Sequence, residues 1–335
     1  MADQSPQRRS SLSRRKLLGG LSSVGAAAIA GCTRSTGGGS NDDETTTESE
    51  LTGSVTIKGS STVYPVSLAM AEEFQKAHSK ANVSVDSTGT GGGFKNHFCT
   101  GNADINDASR EIKETEIEQC SSNDIEPIKF QIAGDALTVA VNNDADWVDC
   151  LTFDELTQIW GSDGAQRWSD VRSEWPDKQI DLYGPASTSG TFDWFTSNVV
   201  GEERGHRSDY EATEKDNVIV QGIEESKHAI GYFGYAYYQE SSDRVKAVEV
   251  KRSESDTCTA PSLDNAKDGS YPLARPLYIY VAKESLANQT VSEFVRFYIE
   301  QAETDLVKEI GYVPESESQR DENLDTLDAA IEDVQ

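Results

Sequence analysis

Basic side chains are scarce in this sequence. Lysine and arginine total 30 against 58 aspartates and glutamates, which gives a formal net charge of −28. A protein that binds nucleic acid neutralises phosphates with a basic surface, and an anionic membrane surface repels an acidic one. The composition therefore excludes an electrostatic nucleic-acid interface and disfavours binding to anionic membrane surfaces.

The usual signatures of catalysis and of metal binding are also missing. Histidine occurs four times, at widely separated positions, and no G-x-S-x-G, H-E-x-x-H or G-x-x-x-x-G-K-[ST] motif occurs. No two cysteines have the close spacing of a zinc site. The sequence predicts a protein that is not an enzyme and that holds no metal or cofactor.

A long apolar run is absent as well. The stretch from Leu17 to Ala30 is too short and too rich in glycine and serine to make a good membrane span. It follows Arg14 and Arg15, and the segment resembles a twin-arginine export signal. Residues 29–32, Ile-Ala-Gly-Cys, resemble a lipobox, which predicts that Cys32 carries a lipid; the alternative is an unpaired thiol. We therefore assign 1–31 to a signal and 32–53 to a flexible acidic tether.

Four cysteines remain after Cys32: Cys99, Cys120, Cys150 and Cys258. An exported protein meets an oxidising compartment, and four cysteines allow three pairings. Pairs of neighbours within one predicted lobe, Cys99 with Cys120 and Cys150 with Cys258, are the expected arrangement. The alternative is four buried free thiols.

From residue 54 onward, strand and helix patterns alternate. Residues 54–58 and 82–86 have strand patterns, and Val66, Met70, Phe74 and Ala77 recur at helical spacing between them. This rhythm predicts an α/β fold with mostly parallel sheets and helices on both faces. Residues 315–335 contain eight acids and one base, and form an acidic tail or one amphipathic helix.

Three junctions between a strand and a helix are built from glycine, serine and threonine. They lie at 59–62, 88–93 and 187–191, and a fourth strand end at 104–110 brings Ser109 and Arg110. Such junctions lie at the carboxyl ends of strands, where amide N–H groups and hydroxyls point into a crevice. Neutral donors together with one guanidinium suit an oxyanion.

These segments resemble the periplasmic phosphate-binding (PstS) family. The likeness is carried by Gly59-Ser-Ser-Thr-Val-Tyr-Pro65, Gly89-Thr-Gly-Gly-Gly-Phe94, Asp107-Ala-Ser-Arg110 and Ser189-Gly-Thr-Phe-Asp193, in this order, and extends through Tyr271-Pro-Leu-Ala-Arg-Pro-Leu277. It covers roughly residues 54–314.

The resemblance implies a two-lobed periplasmic-binding-protein fold with a hinge that the chain crosses twice. We place the crossings near Val141 and near Pro276, so that 54–141 with 276–314 form lobe I and 142–275 form lobe II. It also implies a monomeric receptor that captures inorganic phosphate and delivers it to the permease of an ABC importer. The residues implied to bind phosphate are Ser61, Thr62, Thr90, Gly91, Ser109, Arg110, Ser189, Gly190 and Thr191.

The sequence departs from the best-known branch of the family in two respects. That branch has an arginine a few residues before the Ser-Gly-Thr motif, where this chain has Tyr183-Gly-Pro-Ala186, and we expect Arg110 to supply the charge, with Arg275 as the next candidate. It also has an aspartate near the position of Ser109 that accepts the proton of hydrogen phosphate. Here Asp107, the first choice, and Asp193 are the candidates.

Two other functions are also compatible with the sequence. One is a receptor for another oxyanion, such as tungstate, molybdate or sulfate. The other is a cell-surface interaction protein, which would bind no anion tightly. Binding of each anion in turn discriminates between them.

The charge of the exported chain generates the first prediction. Residues 1–31 hold five bases and one acid, so the rest has 25 bases and 57 acids, a net −32. Such repulsion is screened within about 3 Å at 1 M salt but reaches about 30 Å at 0.01 M. We hypothesise a halophilic archaeal source and expect the melting temperature to rise from low to molar salt. A melting temperature that stays constant over this range would refute the hypothesis.

Overall fold

The computed structural model describes residues 51–201 and 205–335. The predicted signal, Cys32 and most of the predicted tether lie outside the described residues. None of the helices in the described ranges is long and apolar enough to span a bilayer.

Lobe I is built from both ends of the described chain, around one five-stranded sheet. Its first part comprises β1 (Gly53–Gly59), α1 (Tyr64–Ala77), β2 (Ala81–Ser87), α2 (Thr90–Asn96), β3 (Ile105–Ala108), α3 (Glu114–Ser121) and β4 (Pro127–Ala136).

Lobe II follows without a break and contains the second five-stranded sheet. Its elements are β5 (Thr138–Asn142), β6 (Cys150–Thr152), α4 (Phe153–Trp160), α5 (Trp168–Val171), β7 (Asp181–Pro185), α6 (Gly190–Phe195), β8 (Glu211–Thr213), α7 (Asp216–Glu225), β9 (Ala229–Phe233), α8 (Tyr235–Glu240), β10 (Val245–Ala247), β11 (Glu249–Lys251) and α9 (Leu263–Lys267).

The chain then returns to lobe I through one long strand. The returning elements are β12 (Ala274–Ala282), α10 (Gln289–Gln301), α11 (Asp305–Ile310) and α12 (Glu317–Val334). The predicted C-terminal amphipathic helix is thus α12, which buries Leu327 and Ala330 against the lobe I core.

The predicted α/β fold is confirmed, and each of its two five-stranded sheets is mixed. The first has the order β2-β1-β3-β12-β4 and the second β10-β5-β9-β7-β8. In the first sheet β12 runs opposite to the other four strands, and in the second sheet β5 runs opposite to the other four. The strands β4, β5 and β12 carry the chain between the lobes. The two that run opposite to their sheets, β5 and β12, have largely apolar sequences like those of buried parallel strands, so the sequence does not show their direction.

The crossings lie a few residues before the positions expected from the sequence. Thr138 to Val141 pair with β9 and so belong to lobe II, which places the first crossing at Leu137. On the return, Arg275 already pairs with Asp135 of β4 in lobe I. Residues 136–141, Ala-Leu-Thr-Val-Ala-Val, span the first crossing and contain no glycine or proline that would mark it.

Each lobe has its own apolar core. In lobe I, Val66, Met70 and Phe74 form the buried face of α1, and the Phe74 ring meets the edge of Phe294 on α10 at a centroid distance of 5.2 Å. In lobe II, the Trp160 ring packs perpendicular to that of Tyr232 at 4.9 Å. The two cores are largely separate, and Ala236 of α8 is a lobe II residue that packs into the lobe I core.

The predicted cysteine pairing is confirmed. Cys99 is bonded to Cys120 within lobe I, and Cys150 is bonded to Cys258 within lobe II.

Candidate anion-binding site

The parallel strands of the two sheets end at the same cleft. β1, β2 and β3 of lobe I lead into the segments beginning at Ser60, Thr88 and Ser109, and β7 of lobe II leads into the segment that contains Ser189. Because carboxyl ends of parallel strands leave amide groups and helix N-termini exposed, this edge suits an anion.

The turn after β1 places Ser61 and Thr62 in the cleft. Gly59 has φ +132°, and a Cβ there would lie 2.2 Å from the Asp107 carbonyl oxygen, so only glycine fits. The Ser60 N–H donates to that carbonyl at 2.9 Å, and the Ser60 hydroxyl accepts from the Thr62 N–H at 3.1 Å. Ser61 and Thr62 are buried at the start of α1.

A second hydroxyl pair lies beside them in the same lobe. Thr90 begins α2, and its hydroxyl accepts a hydrogen bond from the Ser109 N–H at 3.2 Å. The two hydroxyl oxygens are 3.4 Å apart, and both residues are fully buried.

Lobe II closes directly onto these hydroxyls. Ser189 caps α6 by accepting from the Thr191 N–H at 3.1 Å. A Cβ on Gly190 would lie 2.4 Å from Thr90 Oγ1 and 2.5 Å from Ser109 Oγ, so the cleft closes because residue 190 has no side chain. Thr191 Oγ1 meets Thr62 Oγ1 at 2.9 Å.

A backbone hydrogen bond also crosses the cleft at Gly91, whose N–H donates to the Thr188 carbonyl at 3.0 Å. The structure therefore gathers the predicted hydroxyl and glycine residues of both lobes around one small region.

The cation of this region is Arg275. Its side chain has no solvent exposure; Nε and Nη2 donate to Asp135 Oδ2 at 3.0 and 2.8 Å. Nη2 also donates to Thr191 Oγ1 at 3.0 Å and reaches Thr62 Oγ1 at 3.4 Å. Nη1 is buried and has no hydrogen-bond partner among the described residues. A buried unpaired donor on a guanidinium is costly, and an anion would satisfy it.

Arg110, by contrast, is already paired with protein groups. Its guanidinium donates to both carboxylate oxygens of Glu116, at 2.7 and 2.8 Å, to the Glu111 carbonyl at 2.8 Å and to Asp193 Oδ2 at 2.6 Å. The positive charge of Arg110 is thereby compensated by two carboxylates.

The two predicted proton acceptors also have partners elsewhere. Asp107 Oδ1 accepts from the Ser67 hydroxyl of α1 at 2.8 Å, and Ser67 in turn contacts Tyr298 of α10 at 2.9 Å. Asp107 thus faces the helices behind the sheet. In a continuous strand the side chains of Asp107 and Ser109 would point to the same face of the sheet. They do not, because β3 ends at Ala108 and the chain bends there. Asp193 pairs with Arg110 and Lys113.

A third buried acid, Asp216, was not identified from the sequence. It is the first residue of α7; Oδ1 accepts from the Ser61 hydroxyl at 3.3 Å and Oδ2 from the Gly234 N–H at 3.3 Å. Burial raises its pKa to about 7, against the opposing effects of the Gly234 N–H and the Arg275 charge. An acid at the start of a periodic apolar segment was the only local signal, and it is equally typical of an ordinary helix start.

Fold and site together define a two-lobed solute-binding protein whose cleft is lined for an oxyanion. Residues 44–302 match the PBP superfamily domain. The chain is 42% identical over 264 residues to the protein SphX of Synechococcus elongatus, covering 78% of this chain and 77% of the relative. It is 38% identical to the phosphate-binding protein PstS of Staphylococcus aureus, covering 92% of both.

A solved structure described as a possible phosphate binding protein from Planctomyces limnophilus is similar at 40% identity. The match has a TM-score of 0.61 and covers 84% of this chain and 99% of that one. The chain belongs to the PstS phosphate-binding protein family.

The placement of Asp107 generates a prediction about stability and pH. Burial raises the pKa of Asp107 to about 8, with the Ser67 hydrogen bond opposing the effect. Between about pH 4 and pH 8 the folded state then binds this proton more tightly than the unfolded chain, so the free energy of unfolding falls as pH rises. Asp107→Asn cannot ionise and should unfold with a free energy higher than wild type by about 2 kcal/mol or more at pH 9, and by little at pH 4.

Denaturant unfolding at constant salt measures this difference, with the exposed Asp325→Asn as the control. Equal pH dependence in wild type and Asp107→Asn would contradict the assignment.

Proposed function

We propose that this protein captures inorganic phosphate outside the cytoplasm and delivers it to the permease of an ABC importer. The observation that carries the proposal is the buried Arg275 guanidinium with its unpaired Nη1, held beside hydroxyls contributed by both lobes. Membership of the PstS family supports phosphate as the ligand.

The binding energy has to come from local donors. The chain carries a formal charge of −28, so the field of the whole protein repels a dianion. The local donors are the Arg275 guanidinium and four hydroxyls, those of Thr62, Thr90, Ser109 and Thr191. Hydrogen bonds from these groups to an anion are stronger in a cleft without water than in bulk water.

We assign the proton of hydrogen phosphate to the vicinity of Asp216 rather than to Asp107 or Asp193. The hydroxyl and glycine residues that line the cleft form a cradle, made of Ser61, Thr62, Thr90, Gly91, Ser109, Ser189, Gly190 and Thr191. Asp216 is hydrogen-bonded to Ser61 of this cradle, whereas Asp107 lies behind the sheet and Asp193 is paired with cations. A carboxylate at this position accepts a hydrogen bond from hydrogen phosphate and repels sulfate, which has no proton to donate.

Titration calorimetry with phosphate, sulfate, molybdate and tungstate in molar salt tests the proposal. Phosphate should bind most tightly. Arg275→Lys keeps the charge opposite Asp135 but loses the planar fork, and should weaken phosphate binding by about 2 kcal/mol, close to thirtyfold in Kd. Asp216→Asn should reduce the ratio of the sulfate Kd to the phosphate Kd.

Arg207→Lys is the matched control, because Arg207 is a buried arginine that pairs with Asp209 within lobe II, away from the cradle. Preference for another oxyanion would identify a receptor for that anion. Absence of binding to all four would favour the cell-surface interaction protein.

We further propose that the protein is held at the outer face of the membrane by a lipid on Cys32 after export by the twin-arginine route. The supporting features are the sequence motifs at residues 13–18 and 29–32. Mass spectrometry of the mature protein should find a lipid-modified Cys32 at its N-terminus, and Cys32→Ala should release the protein or leave it unprocessed. An unmodified N-terminus far from residue 32 would contradict the proposal.

A further inference from the structure

A group of four charged side chains spans the cleft beside the anion cradle. Arg110, Lys113 and Glu116 belong to lobe I, and Asp193 belongs to lobe II. We propose that the contact of Asp193 with Arg110 and Lys113 is a clasp that holds the closed lobes together and sets the rate at which the bound anion leaves. This inference rests on the proposed function, which it extends from binding to release.

In the lobe I half of the clasp, hydrogen bonds within lobe I hold the Arg110 side chain in place. Glu116 on α3 binds the Arg110 guanidinium through both carboxylate oxygens and also accepts from the Lys113 N–H at 2.9 Å. Arg110 and Glu116 are both buried. Opening the cleft would therefore leave Arg110 with an intact partner.

The lobe II half is a single carboxylate on the helix that carries the cradle. Asp193 lies one turn after Gly190 on α6; its Oδ2 accepts from Arg110 Nε at 2.6 Å and its Oδ1 lies 3.1 Å from Lys113 Nζ. Arg110 directly follows Ser109, whose hydroxyl faces Gly190. The clasp and the cradle therefore close in the same movement.

The charges of the two halves are complementary. Arg110, Lys113 and Glu116 together carry one net positive charge, and Asp193 carries one negative charge. In a chain with a formal charge of −28, the average electrostatic interaction between the two lobes is repulsive. A local attraction across the cleft opposes this repulsion, and its low exposure limits screening by salt.

The clasp acts on the anion through closure and not by contact. The Arg110 donors described above are directed to carboxylates and to the Glu111 carbonyl, whereas the unpaired donor in the site belongs to Arg275. Loss of Asp193 should consequently shorten the lifetime of the complex with every anion that the cradle accepts. It should not alter the preference among anions.

A chase of radiolabelled phosphate by excess unlabelled phosphate tests the clasp. In Asp193→Asn the dissociation rate should rise about tenfold, as expected for the loss of one charged hydrogen-bonded contact, while the association rate stays within about twofold. Lys113→Gln, which changes a partly exposed side chain and so leaves folding intact, should give a smaller increase.

Asp209→Asn is the matched control, because the Asp209 carboxylate pairs with Arg207 inside lobe II and does not cross the cleft. It should leave the dissociation rate unchanged. An unchanged rate in Asp193→Asn would overturn the clasp, and so would a changed preference between phosphate and sulfate in that variant, because it would place Asp193 in contact with the anion.

A wild-type protein that binds no phosphate would refute the proposed function. In that case small-angle scattering tests whether the clasp holds the lobes together. Asp193→Asn should have a larger radius of gyration than wild type if the clasp holds the lobes together. Equal radii would overturn it.

Discussion

The buried ion pair between Asp135 and Arg275 is the interaction on which the rest of the structure depends. It joins β4 and β12, the strands by which the chain leaves lobe I and returns to it, and neither side chain is exposed. Asp135 also accepts from the Tyr235 N–H of lobe II at 3.0 Å, and Arg275 reaches Thr191 of lobe II and Thr62 of lobe I. The pair therefore links the hinge, both lobes and the site.

Such a pair is stable only when its remaining hydrogen-bonding groups are satisfied, because desolvation of two charges can exceed their mutual attraction. Here Asp135 accepts from three donors, and Arg275 has one buried nitrogen without a partner. The other terminal nitrogen, Nη2, contacts hydroxyls of both lobes. An anion that reached Nη1 would therefore complete the hydrogen bonding of a residue that also belongs to the hinge.

Local patterns in the sequence were sufficient to predict which hydroxyl residues lie together at the cleft. Ser61, Thr62, Thr90 and Ser189 stand at junctions whose glycines and hydroxyls signal a turn into a helix, and parallel strands bring such junctions to one edge. The disulfide pairing followed from the division into lobes. The placement of these residues and the cysteine pairing could be predicted because each depends on residues close together in the chain or on the fold alone.

The charged residues of the site could not be assigned in this way. Arg110 and Arg275 have equally plausible local sequences, and the difference between them is set by Glu116 and Asp193 on one side and Asp135 on the other. The direction of Asp107 depended on where β3 ends, and a bend after Ala108 separated its side chain from that of Ser109. Pairings between residues far apart in the chain decide which charges are compensated by protein groups and which keep an unpaired donor.

The distribution of the two disulfides has a mechanical consequence. Cys99–Cys120 braces lobe I and Cys150–Cys258 braces lobe II, and in the described part of the chain no disulfide joins one lobe to the other. Covalent bracing within each lobe resists internal deformation, while the hinge is left with its two chain crossings. The two crosslinks therefore stiffen each lobe without tying the lobes to each other, so oxidation of the cysteines stabilises the halves and leaves their relative position to non-covalent contacts.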